Sequence, residues 1–396
     1  MEINIGTKTV EESNEFLRCL WAEMGKEFGQ CGWNYNPGKN GAEQRVFFGN
    51  MHINQDFPIA VSISYKNKGS INNIYFLSTI KSYEIEKGTE LYGRFKKVIK
   101  ATRKNIGKHE EYLIESPIKS NHPLMPYKGN NFEIKLISQE GGFKVRLKIK
   151  AYDKKQASHY INKLFGELMD FLSVETDDIF WSDHKDIDYD KLEFEETFLE
   201  RELMDPNFLI WGHRAISKGG KQFIDILTDS NRKDDPNLNL FLKACNHFHT
   251  ARMQEEQISK GYENEDIKKI GTSQTEVATT LYLSALEVVS LIDFKEENCK
   301  CCGQPKYEIS SRIINMVSNY ISDSFGDLFK KFYEQRSDYL HQGVKLITKT
   351  PWEFINPQLD VNADNLCEYP HNIQLSYLRE CVGYCLRSFY KDKFLE

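Results

Sequence analysis

Between residues 45 and 152 the apolar residues gather in short runs, RVFFGNMHI, PIAVSISY, INNIYFLSTI and FEIKLIS. Asn-Lys-Gly and Gly-Asn-Asn turn signals break the region, which predicts β-strands. The clearest strand is 143–152, where Phe143, Val145, Leu147, Ile149 and Ala151 alternate with Lys144, Arg146, Lys148 and Lys150. A period of two predicts one buried face and one basic face, the latter open to phosphate or simply to solvent. At Asp153 the period changes. Asp153 reads as a helix cap, and Ala157, Tyr160, Ile161, Leu164, Phe165, Leu168 and Phe171 recur at helical spacing to about Leu172, a helix expected to close over the sheet. Beyond residue 200 helical periodicity dominates, in 237–257, 273–292, 307–322, 325–344 and 371–390. The expected fold class is α+β. It comprises a β-rich N-terminal sensing or regulatory domain over 1–180, an acidic connector over 181–200 and a helical domain over 201–396.

Composition narrows the classes. The chain has 396 residues, 40% hydrophobic and 28% charged, with 25 Phe and 20 Tyr against 11 Pro, which excludes disorder throughout. No repeat of fixed period points to a solenoid. The longest apolar run, 280–292, is interrupted by Ser284, Glu287 and Ser290 and is too short to cross a bilayer, so no membrane partner is expected. The N-terminal segment lacks the basic start and apolar stretch of a secretory signal, and nine cysteines fit a reducing compartment, so a cytoplasmic protein is expected.

The net charge of −6 hides an asymmetry: residues 51–150 carry 18 basic and 9 acidic groups, and residues 151–200 carry 5 and 14. The basic block is either a solvated surface or a surface for an acidic partner. Within it Lys96, Lys97, Lys100, Arg103 and Lys104 gather on one side of a helical segment, where they can meet an acidic phage component or RNA phosphates. In the acidic block, which starts at Glu175, Asp178, Asp183, Asp186, Asp188 and Asp190 lack the glycine and terminal glutamate of a calcium loop, and a solvated connector is expected.

Candidate chemistry lies late in one predicted helix, in FYEQRSDYLHQG over 332–343. Arg336 and His341 stand five positions apart, about 140° around a straight helix, so they do not stack but can border one cleft. Ser337 and His341, four apart, share a face, so the hydroxyl can orient the imidazole. Glu334 and Asp338 do not stand three or four from Arg336, so an intrahelical ion pair does not explain the arginine. The bland alternative is Arg336 on a solvated face, with His341 a favourable cation near the helix end.

This segment resembles the arginine, four to six residues, histidine signature of HEPN domains. More narrowly, 281–343 resembles the ApeA-type branch of bacterial anti-phage proteins, through Ala285, Leu286 and Glu287, then Arg312, then Tyr333, Arg336, Ser337 and His341. Two departures are Gln342 before Gly343, and Ser337 where many active HEPN nucleases carry Asn, Asp or His. The resemblance implies an all-α HEPN helical bundle in the C-terminal half. It further implies a metal-independent endoribonuclease that cleaves RNA, transfer RNA among the candidates, in anti-phage defence by abortive infection. The implied catalytic residues are Arg336 and His341, with Ser337 and Asp338 beside them, and no cofactor for catalysis. The implied partners are RNA, a second copy joined through the HEPN domains, and a phage-derived trigger or inhibitor protein. The other function class is a non-catalytic HEPN module that binds RNA, nucleotide or a partner protein.

The cysteine cluster adds a second candidate. Cys299 and Cys302, three apart and followed by Gly303, form half of a zinc knuckle, and Cys367 and His371, four apart, can supply the other half. A structural zinc held by Cys299, Cys302, Cys367 and His371 is one expectation, and free thiols in an exposed loop the other. Cys381 and Cys385, one turn apart, read as core. Cys245, His247 and His249 lie inside a helical pattern and are expected to divide between core and solvent.

Overall fold

The computed structural model describes residues 1–29, 31–40, 43–53, 57–65, 69–78, 85–136, 142–182, 195–199, 209–229, 232, 235–262, 268–295, 297–298, 301, 305–306, 308–343 and 375–395. The fold is α+β, strand-rich in the N-terminal part and helical in the C-terminal part. In chain order the elements begin β1 (Glu2–Asn4), α1 (Val10–Phe28), β2 (Cys31–Asn40), β3 (Glu43–Ile53), β4 (Phe57–Tyr65), β5 (Ile71–Ser78) and α2 (Glu90–Asn105). There follow β6 (Glu110–Ser120), β7 (Tyr127–Lys128), β8 (Phe132–Leu136), β9 (Gly142–Ala151), α3 (Lys154–Thr176) and β10 (Phe180–Ser182). The remainder is β11 (Leu209–Ile210), β12 (His213–Arg214), α4 (Lys218–Thr228), α5 (Pro236–Tyr262), α6 (Lys268–Val289), β13 (Glu297–Asn298), β14 (Pro305–Lys306), α7 (Ile309–Tyr320), α8 (Asp323–Gln342) and α9 (Leu375–Phe394).

Two compact units share the chain. The first is Met1–Tyr112 with Ile149–Tyr160, and the second is Leu113–Lys148 with Ile161–Glu396. In the first, an antiparallel sheet runs β1-β5-β4-β3-β2. Alternation along β4 sends Ile59, Val61 and Ile63 inward, where they meet Phe16, Leu20 and Trp21 of α1 and Phe95, Val98 and Ile99 of α2. Each helix starts on a threonine: Thr9 accepts from the Glu12 amide at 3.1 Å and Thr89 from the Tyr92 amide at 3.3 Å.

The second unit holds an antiparallel sheet, β10-β6-β9-β8-β7, and the helices α4 to α9. β9 alternates as its sequence predicts, with Phe143, Val145 and Leu147 fully buried. On its basic face Arg146 is held by Glu115 of β6 and by Glu133 of β8 at 3.0 Å, Glu133 also takes Lys135 at 3.3 Å, and Lys148 and Lys150 are exposed.

The chain divides elsewhere than at residue 180. Asp153 does cap α3, its carboxylate accepting from the Gln156 amide at 2.6 Å. The end of α3, however, is built into the helical core, where Phe171 stacks on Phe223 of α4 and on Tyr390 of α9, with centroids 4.4 and 5.2 Å apart. An aromatic cluster of that size excludes water, and it draws the stretch after α3 in with it.

The expectation of a solvated acidic stretch from Glu175 is corrected for its first part. Glu175, Asp177 and Asp178 are 2%, 1% and 1% exposed. Glu175 accepts from the Tyr390 hydroxyl at 2.8 Å and from the Ser217 hydroxyl and amide at 2.6 and 2.8 Å. Asp178 accepts from Arg214 at 3.3 Å and from the His122 amide at 3.1 Å, and lies 2.9 Å from the His122 ring. Asp177 faces Arg252 of α5 at 3.4 Å and Arg379 of α9 at 2.7 Å. Those two arginines also meet Glu255 at 3.2 and 2.7 Å, and the Tyr282 hydroxyl of α6 donates to Glu255 at 2.7 Å. Burial opposes the charge on both arginines, but Asp177 and Glu255 outweigh it and their pKa values are raised. Of the connector, 183–194 and 200 lie outside the described residues. The described part is tied down: the Tyr127 hydroxyl donates to Thr197 O at 2.6 Å, and Glu196 pairs with Lys221 at 2.8 Å. Among the described residues, no helix is long and apolar enough to cross a membrane.

Candidate functional site around Arg336

The start of α8 is set by a close approach. A Cβ on Gly326 would stand 2.2 Å from the Ser318 hydroxyl of α7 and 3.3 Å from Ile314. Glycine therefore lets α8 lie against α7 just after the turn between them. Gly326→Ala is expected to cost about 1–3 kcal/mol through overpacking, read as a lowered thermal midpoint, and an unchanged midpoint would remove this role. The helix ends at Gly343, which caps it in the left-handed conformation with φ 70° and donates to the carbonyls of Asp338 and Tyr339.

Along α8 the buried face runs through Phe329 and Phe332, and Arg336 continues the same stripe one turn later. Arg336 is thus not on a solvated face; its side chain is 13% exposed. It reaches α6, where its Nη2 donates to the Ser284 hydroxyl at 3.0 Å and lies 3.0 Å from Glu287 Oε2. The guanidinium carbon stands 5.5 Å from the Tyr333 ring centroid, while Nε is buried with no hydrogen-bond partner among the described residues. An unpaired buried donor is costly, and it leaves Arg336 with hydrogen-bonding capacity to spare.

A second cation serves the same pocket. Arg312 of α7 is half-buried, donates from Nε to the Ser290 hydroxyl at 3.3 Å and lies over the Phe294 ring at 4.1 Å. Burial lowers its pKa, against the pull of Glu287 and Tyr333. Burial and Glu287 together raise the pKa of the Tyr333 hydroxyl, with Arg336 and Arg312 acting the other way. The charges of Arg336, Arg312 and Glu287 and the Tyr333 hydroxyl therefore act on one another, with Glu308 also acting on Arg312.

His341 sits in the last turn of α8 and is exposed. Five residues along a helix carry it about 7.5 Å beyond Arg336 and about 140° around the axis, as the spacing predicts. Ser337 and Asp338 are half-buried. Asp338 accepts from the Gln342 amide at 3.0 Å, and no hydrogen bond joins Ser337 to His341 among the described residues. The helix thus brings Arg336 to α6 and α7 and leaves His341 at its exposed end; the expected orienting of the imidazole by Ser337 is not seen.

The residues expected to hold a structural zinc, Cys299, Cys302, Cys367 and His371, all lie outside the described residues. Among the described residues, no group of three or more His, Cys, Asp or Glu could hold a metal ion, and Cys301 is exposed. Cys381 and Cys385 are buried, and burial pushes the Cys381 thiol up to about 12 and the Cys385 thiol higher still. Cys245 is buried as well. His249 turns inward, its Nε2 accepting from the Phe180 amide at 3.1 Å and its Nδ1 2.8 Å from Asp170.

Sequence reasoning missed Ser284 as a neighbour of Arg336 and Glu287 as its ionic partner. The available signal was the pair of polar interruptions, Ser284 and Glu287, in the apolar run 280–292. They are three apart and so share one face of α6. No protein-family model, no curated protein and no solved structure matches the chain.

Proposed function

We propose that this chain is a HEPN-type endoribonuclease of anti-phage defence that cleaves RNA without a metal. The observation that carries the reading is a pair of arginines near Glu287: Arg336 of α8 lies 3.0 Å from it and Arg312 of α7 feels its charge, with His341 exposed on the helix that carries Arg336. Cleavage of this kind takes a proton from the ribose 2′-hydroxyl, passes through a pentacovalent phosphorus with extra negative charge, and returns a proton to the departing 5′-oxygen. An imidazole exchanges protons in both directions near neutral pH. A guanidinium stays charged and can hold two phosphate oxygens at once. The resemblance to HEPN nucleases adds that two copies would pair their motifs, supplying two histidines and two arginines.

A second reading, a non-catalytic HEPN module that binds RNA, nucleotide or a partner protein, is favoured by one observation: Arg336 is already engaged by Glu287 and Ser284 within its own chain. One assay separates the two. The purified full chain incubated with total RNA in excess EDTA is expected to release fragments ending in 2′,3′-cyclic phosphate. A strict magnesium requirement would point to different chemistry, and bound but intact RNA would support the second reading.

A further inference from the structure

Two basic runs stand out in the sequence, and the structure treats them differently. On β9 the central cation, Arg146, is paired with Glu115 and Glu133 on the flanking strands. Among the outer cations of α2, only Lys97 has a carboxylate partner among the described residues. Lys96, Lys97, Lys100, Arg103 and Lys104 are all exposed. Lys97 is taken by Glu27 of α1 at 2.9 Å. Arg103 donates to the Asn4 carbonyl at 2.9 Å, which satisfies a donor and leaves the charge. Lys96 lies 5.7 Å from the Tyr92 ring centroid, and among the described residues Lys100 and Lys104 have no carboxylate partner. The one carboxylate on the helix, Glu90, is in its first turn.

Lys96, Lys100 and Lys104 are successive i, i+4 neighbours, so they form a single row about 12 Å long. Like charges at that spacing repel and weaken a helix, and an anion laid along the row relieves the repulsion. The chemistry of the face also sorts its partners. Among the described residues of α2 no large hydrophobic side chain is exposed. Protein interfaces are built around apolar and aromatic cores and are depleted in lysine. Phosphate backbones are held largely by lysine and arginine, helped by hydroxyl, amide and backbone N–H donors, and these contacts carry no sequence information.

We infer that the outer face of α2, through Lys96, Lys100, Arg103 and Lys104, is a sequence-independent docking strip for the phosphate backbone of RNA. The choice of RNA rests on the nuclease reading above. The strip itself rests on charge and exposure.

The test is fluorescence anisotropy with a labelled single-stranded RNA of mixed sequence, using the full chain with His341→Ala so that the RNA stays intact. It is run at several salt concentrations. A triple variant, Lys96→Gln with Lys100→Gln and Lys104→Gln, is compared with a control, Lys144→Gln with Lys148→Gln on β9. Three lost phosphate contacts at a slope of about 0.7 each should flatten the log Kd against log salt plot by about 2, and weaken binding about 100-fold near 0.1 M salt. The control should lose little. Equal binding by the triple variant, or an equal loss in the control, would overturn the strip. So would a polyglutamate peptide that competes as well as RNA of the same charge, because it would assign the face to an acidic protein. Because binding is read without cleavage, a strip that holds RNA in a chain that cuts none would leave this inference standing and remove the nuclease reading.

Discussion

His341→Ala is expected to abolish RNA cleavage by the full chain and leave its thermal midpoint unchanged, whereas Arg336→Ala abolishes cleavage and lowers the midpoint as well. The difference follows from where the two side chains lie. His341 is exposed at the end of α8, Gly343 still caps the helix, and alanine is a better helix former than histidine. Loss of a general acid or base removes about 10²–10⁴-fold of rate. Arg336 is mostly buried, and its removal strips Glu287 and Ser284 of their partner, a cost of about 1–3 kcal/mol. Arg336→Lys separates the roles. It keeps the charge beside Glu287 and so most of the stability, but an ammonium cannot hold two phosphate oxygens in one plane, and cleavage should remain low. Cleavage is read on denaturing gels with total RNA, and stability by thermal unfolding. Full activity in purified His341→Ala or Arg336→Ala would sink the nuclease reading.

What was legible in the sequence is whatever a local period encodes. The alternation of β9 and the apolar rows of α5 to α9 emerge close to their expected bounds, because one buried face repeats at the spacing of the element. The helix α1 went unread, although Thr9 followed by Glu12 and Phe16, Leu20 and Met24 at helical spacing carry its signal. Arg336 shows where local pattern ends. Its neighbours three and four away on α8 are aromatic or aliphatic, which rightly excludes a partner on the same helix. The partner came from α6, and nothing within α8 points there. The two compact units show the same limit from the other side. Residues 149–160 belong with the first 112, although the strand and the helix they join reach into the second unit.

The buried acids after α3 were misread for a related reason: a run of carboxylates in sequence says nothing about cations that arrive from distant segments. Asp177 is therefore the position at which a single change should cost the most stability. It is 1% exposed and faces both Arg252 and Arg379, which Glu255, with Glu380 3.8 Å from Arg379, would then have to balance. Removing one partner from a buried charge network costs about 3–5 kcal/mol, because a buried charge is left uncompensated. Asp177 also has φ 55°, a left-handed conformation that asparagine tolerates better than alanine. Asp177→Asn keeps the shape and the backbone preference and removes only the charge, so it isolates the ionic term. It is expected to lower the thermal midpoint by about 6–20 °C, at 2–4 °C per kcal/mol for a unit of this size. Asp177→Ala should fall further. Exposed Glu195 provides the control: Glu195→Gln should change stability by less than about 0.5 kcal/mol. If Asp177→Asn melts with the wild type, the two arginines do not depend on this carboxylate, and the end of α3 is held by its aromatic contacts and by Glu175.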